Sequence, residues 1–259
     1  MTRILRILTL PLLFILASSS LAFGFPSAQN WIPSTDVTPF GKFHIDSMVY
    51  VPVKKFQDGS HQATTTDLGL RGGVLPFPKV QAEVGFDHIT GNWSTPTLAN
   101  EYDNHPLYFN VKLGTPEDAL FKGAPALAVG GYAFGTRDKN DALDTNYNIV
   151  YGLTARTFNP IGRLSAGYFH GNSRILVDEN GKKENNGLLL SWDRTMSEIS
   201  DKLWLAVDYQ GGKSTYGATS FGGSWKFAPN VAGSVAYNIY NNTRLVKQTV
   251  MLAVGIDFQ

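Results

Sequence analysis

For most of its length the chain alternates between apolar residues and small or polar ones with a period of two. The C-terminal stretch shows this best: Val250, Leu252, Val254, Ile256 and Phe258 are apolar, while Thr249, Met251, Ala253, Gly255 and Asp257 between them are mostly small or polar. Successive side chains of a strand point to opposite faces, so the pattern predicts strands with one greasy face. Leu203, Leu205, Val207 and Tyr209 alternate likewise with Trp204, Ala206, Asp208 and Gln210, and Tyr147, Ile149, Tyr151 and Leu153 with Asn148, Val150, Gly152 and Thr154. Leu107, Phe109, Val111 and Leu113 form another such set, as do Val80, Ala82, Val84 and Phe86. About twelve segments follow this rule, near 43–53, 64–75, 79–89, 105–114, 124–135, 145–157, 161–171, 185–195, 201–211, 215–227, 231–241 and 246–258. None of the intervening sequence reads as a long amphipathic helix. An even number of strands returns both ends to one side, as a closed up-and-down barrel requires.

The connections alternate too. Residues 54–63 are polar, Pro76-Phe77-Pro78 is tight, 90–104 is long, 136–141 is polar and Phe158-Asn159-Pro160 is tight. A polar stretch at 172–184 precedes a short one at 196–200, and Ala228-Pro229-Asn230 is tight again. Long loops on one rim and short turns on the other are the build of a transmembrane barrel. Two connections depart from it: 115–123 is long for the short-turn side, and 212–214 is short for the long-loop side.

The front of the chain is different. Arg3 and Arg6 precede an apolar run from Ile7 to Ala17, which leads into serines and the small-residue site Ser20-Leu21-Ala22. This is the layout of a cleavable signal peptide over residues 1–22. An uncleaved anchor ranks second, because the run is shorter than the ~20 residues of a spanning helix. Cleavage after Ala22 leaves 237 of the 259 residues and removes two arginines, moving the formal charge from +1 to −1. Residues 23–41, with Trp31 and the prolines at 26, 33 and 39, then form a periplasmic lead-in or a plug for the barrel mouth, and 42–259 form the barrel.

Composition adjusts this picture in three ways. A mean hydropathy of −0.11 resembles that of a soluble protein, but the average runs over two unlike faces. Lys+Arg 22 against Asp+Glu 21 argues against a nucleic-acid partner. With no cysteine there is no disulfide and no thiolate site, which suits an oxidising envelope compartment.

With these features the chain resembles a Gram-negative outer-membrane β-barrel over almost all of residues 42–259. The resemblance rests on the signal peptide, the alternating segments, the aromatic residues near strand ends (Phe43, Phe86, Trp192, Trp225 and Phe227) and Phe258 near the C-terminus. Members of that class end on an aromatic residue read by the assembly machinery, whereas here Gln259 follows Phe258. The resemblance implies an all-β, transmembrane, antiparallel up-and-down barrel of about 12 strands. It implies outer-membrane lipid and the outer-membrane assembly machinery as partners, and porin-like passage of small polar solutes without a cofactor. The soluble rival is a secreted β-sandwich or lipocalin-like barrel, which would turn its apolar face inward and use fewer strands.

If the apolar face meets lipid, the alternate set lines the lumen. Its acidic members are Asp46, Asp67, Glu83, Asp87, Asp208 and Asp257; its basic members are Arg71, Lys112, Arg156, Arg163, Lys202, Lys226 and Lys247. Small residues such as Gly69, Gly85, Gly152, Ser165, Gly167, Ser220, Gly222, Ser224, Ala232, Ser234 and Ala253 leave space between them. A lumen of mixed sign predicts weak charge selectivity. The same charges could instead pair across the lumen in a plugged structural or assembly-partner barrel. A third reading is a phospholipase-like enzyme on the lipid face, for which His170, Asn172 and Ser173 are the nearest candidates. His170 should face outward near the rim, but Ser173 is three residues on and so on the opposite face of a regular strand, against the reach nucleophilic catalysis needs. His44 shares a strand face with Asp46, while His61, His88 and His105 are scattered without metal-ligand spacing.

Overall fold

The computed structural model describes residues 27–91, 104–139, 141 and 143–258. The expected signal peptide, most of the 90–104 loop and Gln259 lie outside the described residues. Twelve antiparallel strands follow one another in chain order: β1 (Phe43–Pro52), β2 (Thr65–Gly73), β3 (Gln81–Thr90), β4 (Leu107–Thr115), β5 (Ala126–Gly135), β6 (Asn146–Phe158), β7 (Gly162–His170), β8 (Asn186–Thr195), β9 (Leu203–Gln210), β10 (Ala218–Ala228), β11 (Val231–Tyr240) and β12 (Thr249–Phe258). Each pairs with the next, and β1 pairs with β12 from Phe43 opposite Phe258 to Pro52 opposite Thr249, which closes the barrel. Closure leaves no edge strand with unpaired backbone groups.

The outer face is apolar. Ile45, Leu68, Val84, Phe109, Val129, Val150, Leu164, Leu188, Phe221, Val235, Leu252 and Val254 are all exposed on it. At the rim where β1 begins and β12 ends, exposed Phe43, Phe77, Phe121, Phe158, Trp225, Phe227 and Phe258 form an aromatic girdle. Trp192 lies there too, donating its indole N–H to the Ile161 carbonyl at 2.8 Å. Phe86 is exposed but sits mid-strand opposite Phe109, so it belongs to the belt and not to the girdle.

This rim carries the connections 74–80, 116–125, 159–161, 196–202 and 229–230; the other carries 53–64, 91–106, 136–145, 171–185, 211–217 and 241–248. The two connections that departed from the length rule are therefore real features: 116–125 is a long excursion on the short-turn rim, and 211–217 a brief one opposite.

One strand reverses its expected faces. In β6 the apolar set Tyr147, Ile149, Tyr151 and Leu153 is buried inside the barrel, and Asn148, Val150, Gly152 and Thr154 point out. Cross-strand partners share a face, and Leu153 stands opposite Gly167 and Ala155 opposite Ser165, all inward. Register breaks between Phe109 and Val111 and between Tyr132 and Phe134 flank this part of the wall.

Candidate functional site in the barrel lumen

The interior is built by register. Asp46 of β1 stands opposite Gly69 of β2, which stands opposite Asp87 of β3; Arg71 lies one inward position along, between His44 and Gly85. The two glycines make this crowding possible, since a Cβ on Gly69 would come within 2.9 Å of Asp87 Oδ1, and one on Gly85 within 2.8 Å of Arg71 Cγ. Arg71 is then clamped between the Asp46 and Asp87 carboxylates, the latter at 3.0 Å, and Asn110 also donates to Asp87 at 3.0 Å. His44 bonds Asp257 at 2.8 Å and lies 3.5 Å from Asp46. Lys112 of β4, directly opposite Glu83, pairs with it at 3.2 Å. On the far wall Arg163 and Asp193 are opposite one another in β7 and β8 and bond at 2.9 Å, and Trp204 donates its indole N–H to Asp193 at 3.1 Å.

Between these walls runs the chain before β1. Residues 27–34 form a tight hairpin, with Gln29 N–H donating to the Ile32 carbonyl at 2.8 Å and Ser34 N–H to the Ser27 carbonyl at 3.1 Å. The hairpin lies inside the barrel: Ile32 is 0% exposed, and Ser27, Asn30, Ser34, Thr35, Val37 and Thr38 are buried. Polar partners from five strands and the 211–217 loop hold it. Lys112 donates to the carbonyls of Ser27 and Asp36, each at 2.8 Å, and Arg163 grips the Asp36 carboxylate at 2.7 and 2.8 Å. Thr38 N–H donates to Glu83 at 2.7 Å, Gln29 to Asp193 at 3.0 Å, and Asn30 to the Ala206 carbonyl at 3.1 Å. At the tip, Trp31 N–H donates to the 0% exposed Asp208 at 2.9 Å, and its indole N–H to the Tyr216 carbonyl at 2.8 Å. The Trp31 ring packs against Tyr50, Tyr216 and Tyr240, with centroids 5.9, 6.5 and 5.4 Å away. The hairpin enters from the short-turn rim, where Phe40 bridges to Gly73, and its tip reaches toward the opposite loops, where Tyr216 sits.

The hairpin does not fill the barrel. A cavity of about 160 Å³ remains between it and the β1–β6 wall, lined by Asp67, Arg71, Asp87, Tyr108, Tyr132 and Tyr151 among others. Tyr132 hydrogen-bonds Gln210 at 3.2 Å across the lumen. Burial, then the neighbouring Tyr147, Tyr108 and Tyr132 and the charge of Asp67, push the Tyr216 hydroxyl well above its ordinary range, so it stays neutral.

The structure brings Asp46, Asp67, Arg71, Glu83, Asp87, Lys112, Arg163 and Asp208 together inside the barrel. Five other expected lumen residues lie elsewhere, and Asp257 is one of them, exposed at the rim end of β12 where it meets His44. Arg156 falls on the outward parity at the end of β6 and bonds Asp118 at 2.9 Å in the 116–125 connection. Lys202 is exposed in the turn before β9. Lys226 has the inward parity but lies at the rim, its N–H bonded to the Lys202 carbonyl. Lys247 belongs to the 241–248 loop, where its ammonium lies 4.7 Å from the centre of the Phe56 ring. Gly152 points outward with β6. The pattern gives Asp36, Asp193 and Tyr132 no role; it places Trp31 only within the 23–41 lead-in or plug, and Tyr147 and Tyr151 on the greasy face of β6, which the structure turns inward. His170 ends β7 on the outward face, with Asn185 Nδ2 3.5 Å from its ring, and Ser173 follows in the loop. Among the described residues no group of three His, Asp or Glu side chains is placed to hold a metal ion.

No family profile matches the chain, and no curated protein matches it in sequence. Solved structures do. One is the KdgM porin, with a TM-score of 0.53 at 12% identity over 83% of this chain and 99% of that one. A second, of KdgM in complex with disordered oligogalacturonate, gives 0.54 at 11% identity over the same shares. An outer membrane channel from Pseudomonas putida F1 gives 0.49 at 10% identity over 87% of this chain and 98% of that one. The likeness is one of fold: this chain is a closed twelve-stranded antiparallel barrel, a fold it shares with the KdgM porin at low sequence identity.

Proposed function

We propose that the protein is an outer-membrane channel for small polar solutes, narrowed by its own N-terminal hairpin and opened when that hairpin leaves the lumen. One observation carries the reading: a closed barrel with an apolar exterior encloses a charged interior, and the segment occupying it is tied to the wall by hydrogen bonds and ion pairs, with Trp31 and Ile32 as its main apolar contacts. Such bonds exchange with water at a net cost of about 1 kcal/mol each between neutral groups and about 1.5–3 kcal/mol where one partner is charged. On leaving, the hairpin exposes apolar surface chiefly at Trp31, Ile32 and Val37, and the rest of its attachment is exchanged for water. The short-turn rim faces the periplasm in this reading, so the hairpin enters from that side. Because lumen cations and carboxylates are mostly paired with one another, bulk passage discriminates weakly by charge sign.

A permanently plugged structural barrel is the second reading, favoured by the same bonds. Proteoliposome swelling separates the two. Liposomes carrying the full chain, or the chain lacking residues 27–38, should swell in solutions of small sugars and amino acids faster than protein-free ones. Absence of swelling with both proteins, each shown to be folded, would establish the plugged barrel instead. The reading assigns no covalent chemistry: incubation with phospholipid should release no fatty acid, and release abolished by Ser173→Ala would overturn it.

A further inference from the structure

The cavity beside the hairpin is unevenly equipped. Its two cations are each paired, Arg71 with Asp46 and Asp87, and Lys112 with Glu83 and the carbonyls of Ser27 and Asp36. Asp67, which also lines the cavity, has no such partner: its fully buried Oδ1 accepts no hydrogen bond, and its register neighbours on either side are Met48 and Ile89. Gln29, 3% exposed and on the same cavity, spends its amide N–H on Asp193 and leaves Oε1 without a donor. The unmet demand is therefore for donors, and it is set among rings. Tyr216 lies 6.1 Å from Tyr132 and 5.0 Å from Tyr147, Tyr132 lies 6.0 Å from Tyr151, and Trp31 closes the side formed by the hairpin.

A buried carboxyl without a counter-ion beside several rings is the chemistry that recognises an organic cation: burial keeps it neutral while the site is empty, it gives up its proton to water as the cation arrives, and the rings attract positive charge through their quadrupoles. An anion would meet Asp67, Glu83 and Asp87 with no uncommitted basic group to hold it. In size, an engineered cavity of about 150 Å³ holds benzene, so about 160 Å³ suits a solute of similar bulk. We propose that this cavity is a binding site for a small organic ammonium ion, with Asp67 as the countercharge and Tyr132, Tyr151, Tyr216 and Trp31 as the cage. The site deepens the channel reading by naming a solute class, but binding is read at equilibrium on the closed barrel and needs no conduction. Failure to conduct and failure to bind are thus distinguishable.

The test is calorimetric titration of the detergent-solubilised full chain with choline chloride and with its neutral isostere 3,3-dimethylbutan-1-ol. Choline should bind at least tenfold more tightly than the isostere. Asp67→Asn should abolish that preference, while the loop variant Asp58→Asn retains it. If Asp67→Asn does not fold, Tyr216→Leu, which alters a residue outside the strands, should weaken choline at least fivefold and leave the isostere less affected. Equal binding of the two compounds, no binding of choline, or a preference that survives Asp67→Asn would overturn the proposal.

Discussion

Trp31 and Arg163 hold the hairpin in different ways, so their replacement should have different consequences. Trp31 contributes ring contacts to three tyrosines and an indole bond to the Tyr216 carbonyl. Trp31 is half-buried, so its truncation falls below the low end of about 3 kcal/mol for a fully buried ring; at about 2 kcal/mol, Trp31→Ala should raise the open fraction of the channel by roughly 30-fold at tenfold per ~1.4 kcal/mol. Arg163 bridges Asp36 of the hairpin to Asp193 of the wall. Asp36 is about a third exposed, which discounts the pair, and Arg163→Gln should loosen the hairpin by about 2 kcal/mol. Amide exchange at residues 27–38 should then speed up about 30-fold while exchange in the strands is unchanged; equal acceleration of both would mean that Arg163 supports the barrel and not the hairpin. A third residue-scale prediction concerns the 136–145 loop. The Arg137 guanidinium bonds Asp141 and pushes its carboxyl down to about 2. A lowered value means that the bond persists as pH falls through the ordinary carboxylate range and fails only near pH 2. The side-chain carboxyl shift of Asp141 should titrate there, and return to the ordinary range in Arg137→Gln.

At the scale of elements, the hairpin is an accessory to the barrel. It contributes no strand to the closed ladder, which runs from β1 to β12 without it. Deleting residues 27–38 should therefore leave strand circular dichroism intact and lower thermal stability only modestly; a chain that no longer folds would make the hairpin part of the core. The strands themselves were legible from alternation, because a period of two is what a barrel wall demands of its side chains. Their facing was legible only where one set was clearly polar. In β6 both sets are mixed, since Tyr147, Ile149, Tyr151 and Leu153 compete with Val150, Gly152 and Arg156, and the greasier set went inside against Phe169, Leu176 and Ile32. The inward assignment of Ser165 and Gly167 carried the missing signal, because their partners on β6 are Ala155 and Leu153. Trp31, Asp36 and the cage tyrosines were not legible, since their roles come from a chain segment folding back through the barrel. No local periodicity encodes that path.

At the scale of the molecule, the exterior and the lumen answer to different solvents. Val129 and Leu252 lie mid-strand on the exposed belt, whereas Ser220 and Ser234 face inward. Val129→Lys should destabilise the barrel in lipid by about 2–4 kcal/mol, and the same change near a rim by about 1 or less. Denaturant titration in vesicles measures the difference, and no depth dependence would argue against a lipid-facing belt. The balance of acids and bases that makes the whole chain look electrically neutral is reached locally, by pairing across the lumen, and the hairpin is bound by the same currency of charge and backbone amide. The central claim is that this hairpin gates the pore. Single-channel recording in planar bilayers of the full chain beside the chain lacking residues 27–38 tests it most directly. Small, mostly closed events are expected of the former and a several-fold larger, persistently open conductance of the latter; identical conductance traces from two folded proteins would rule the gate out.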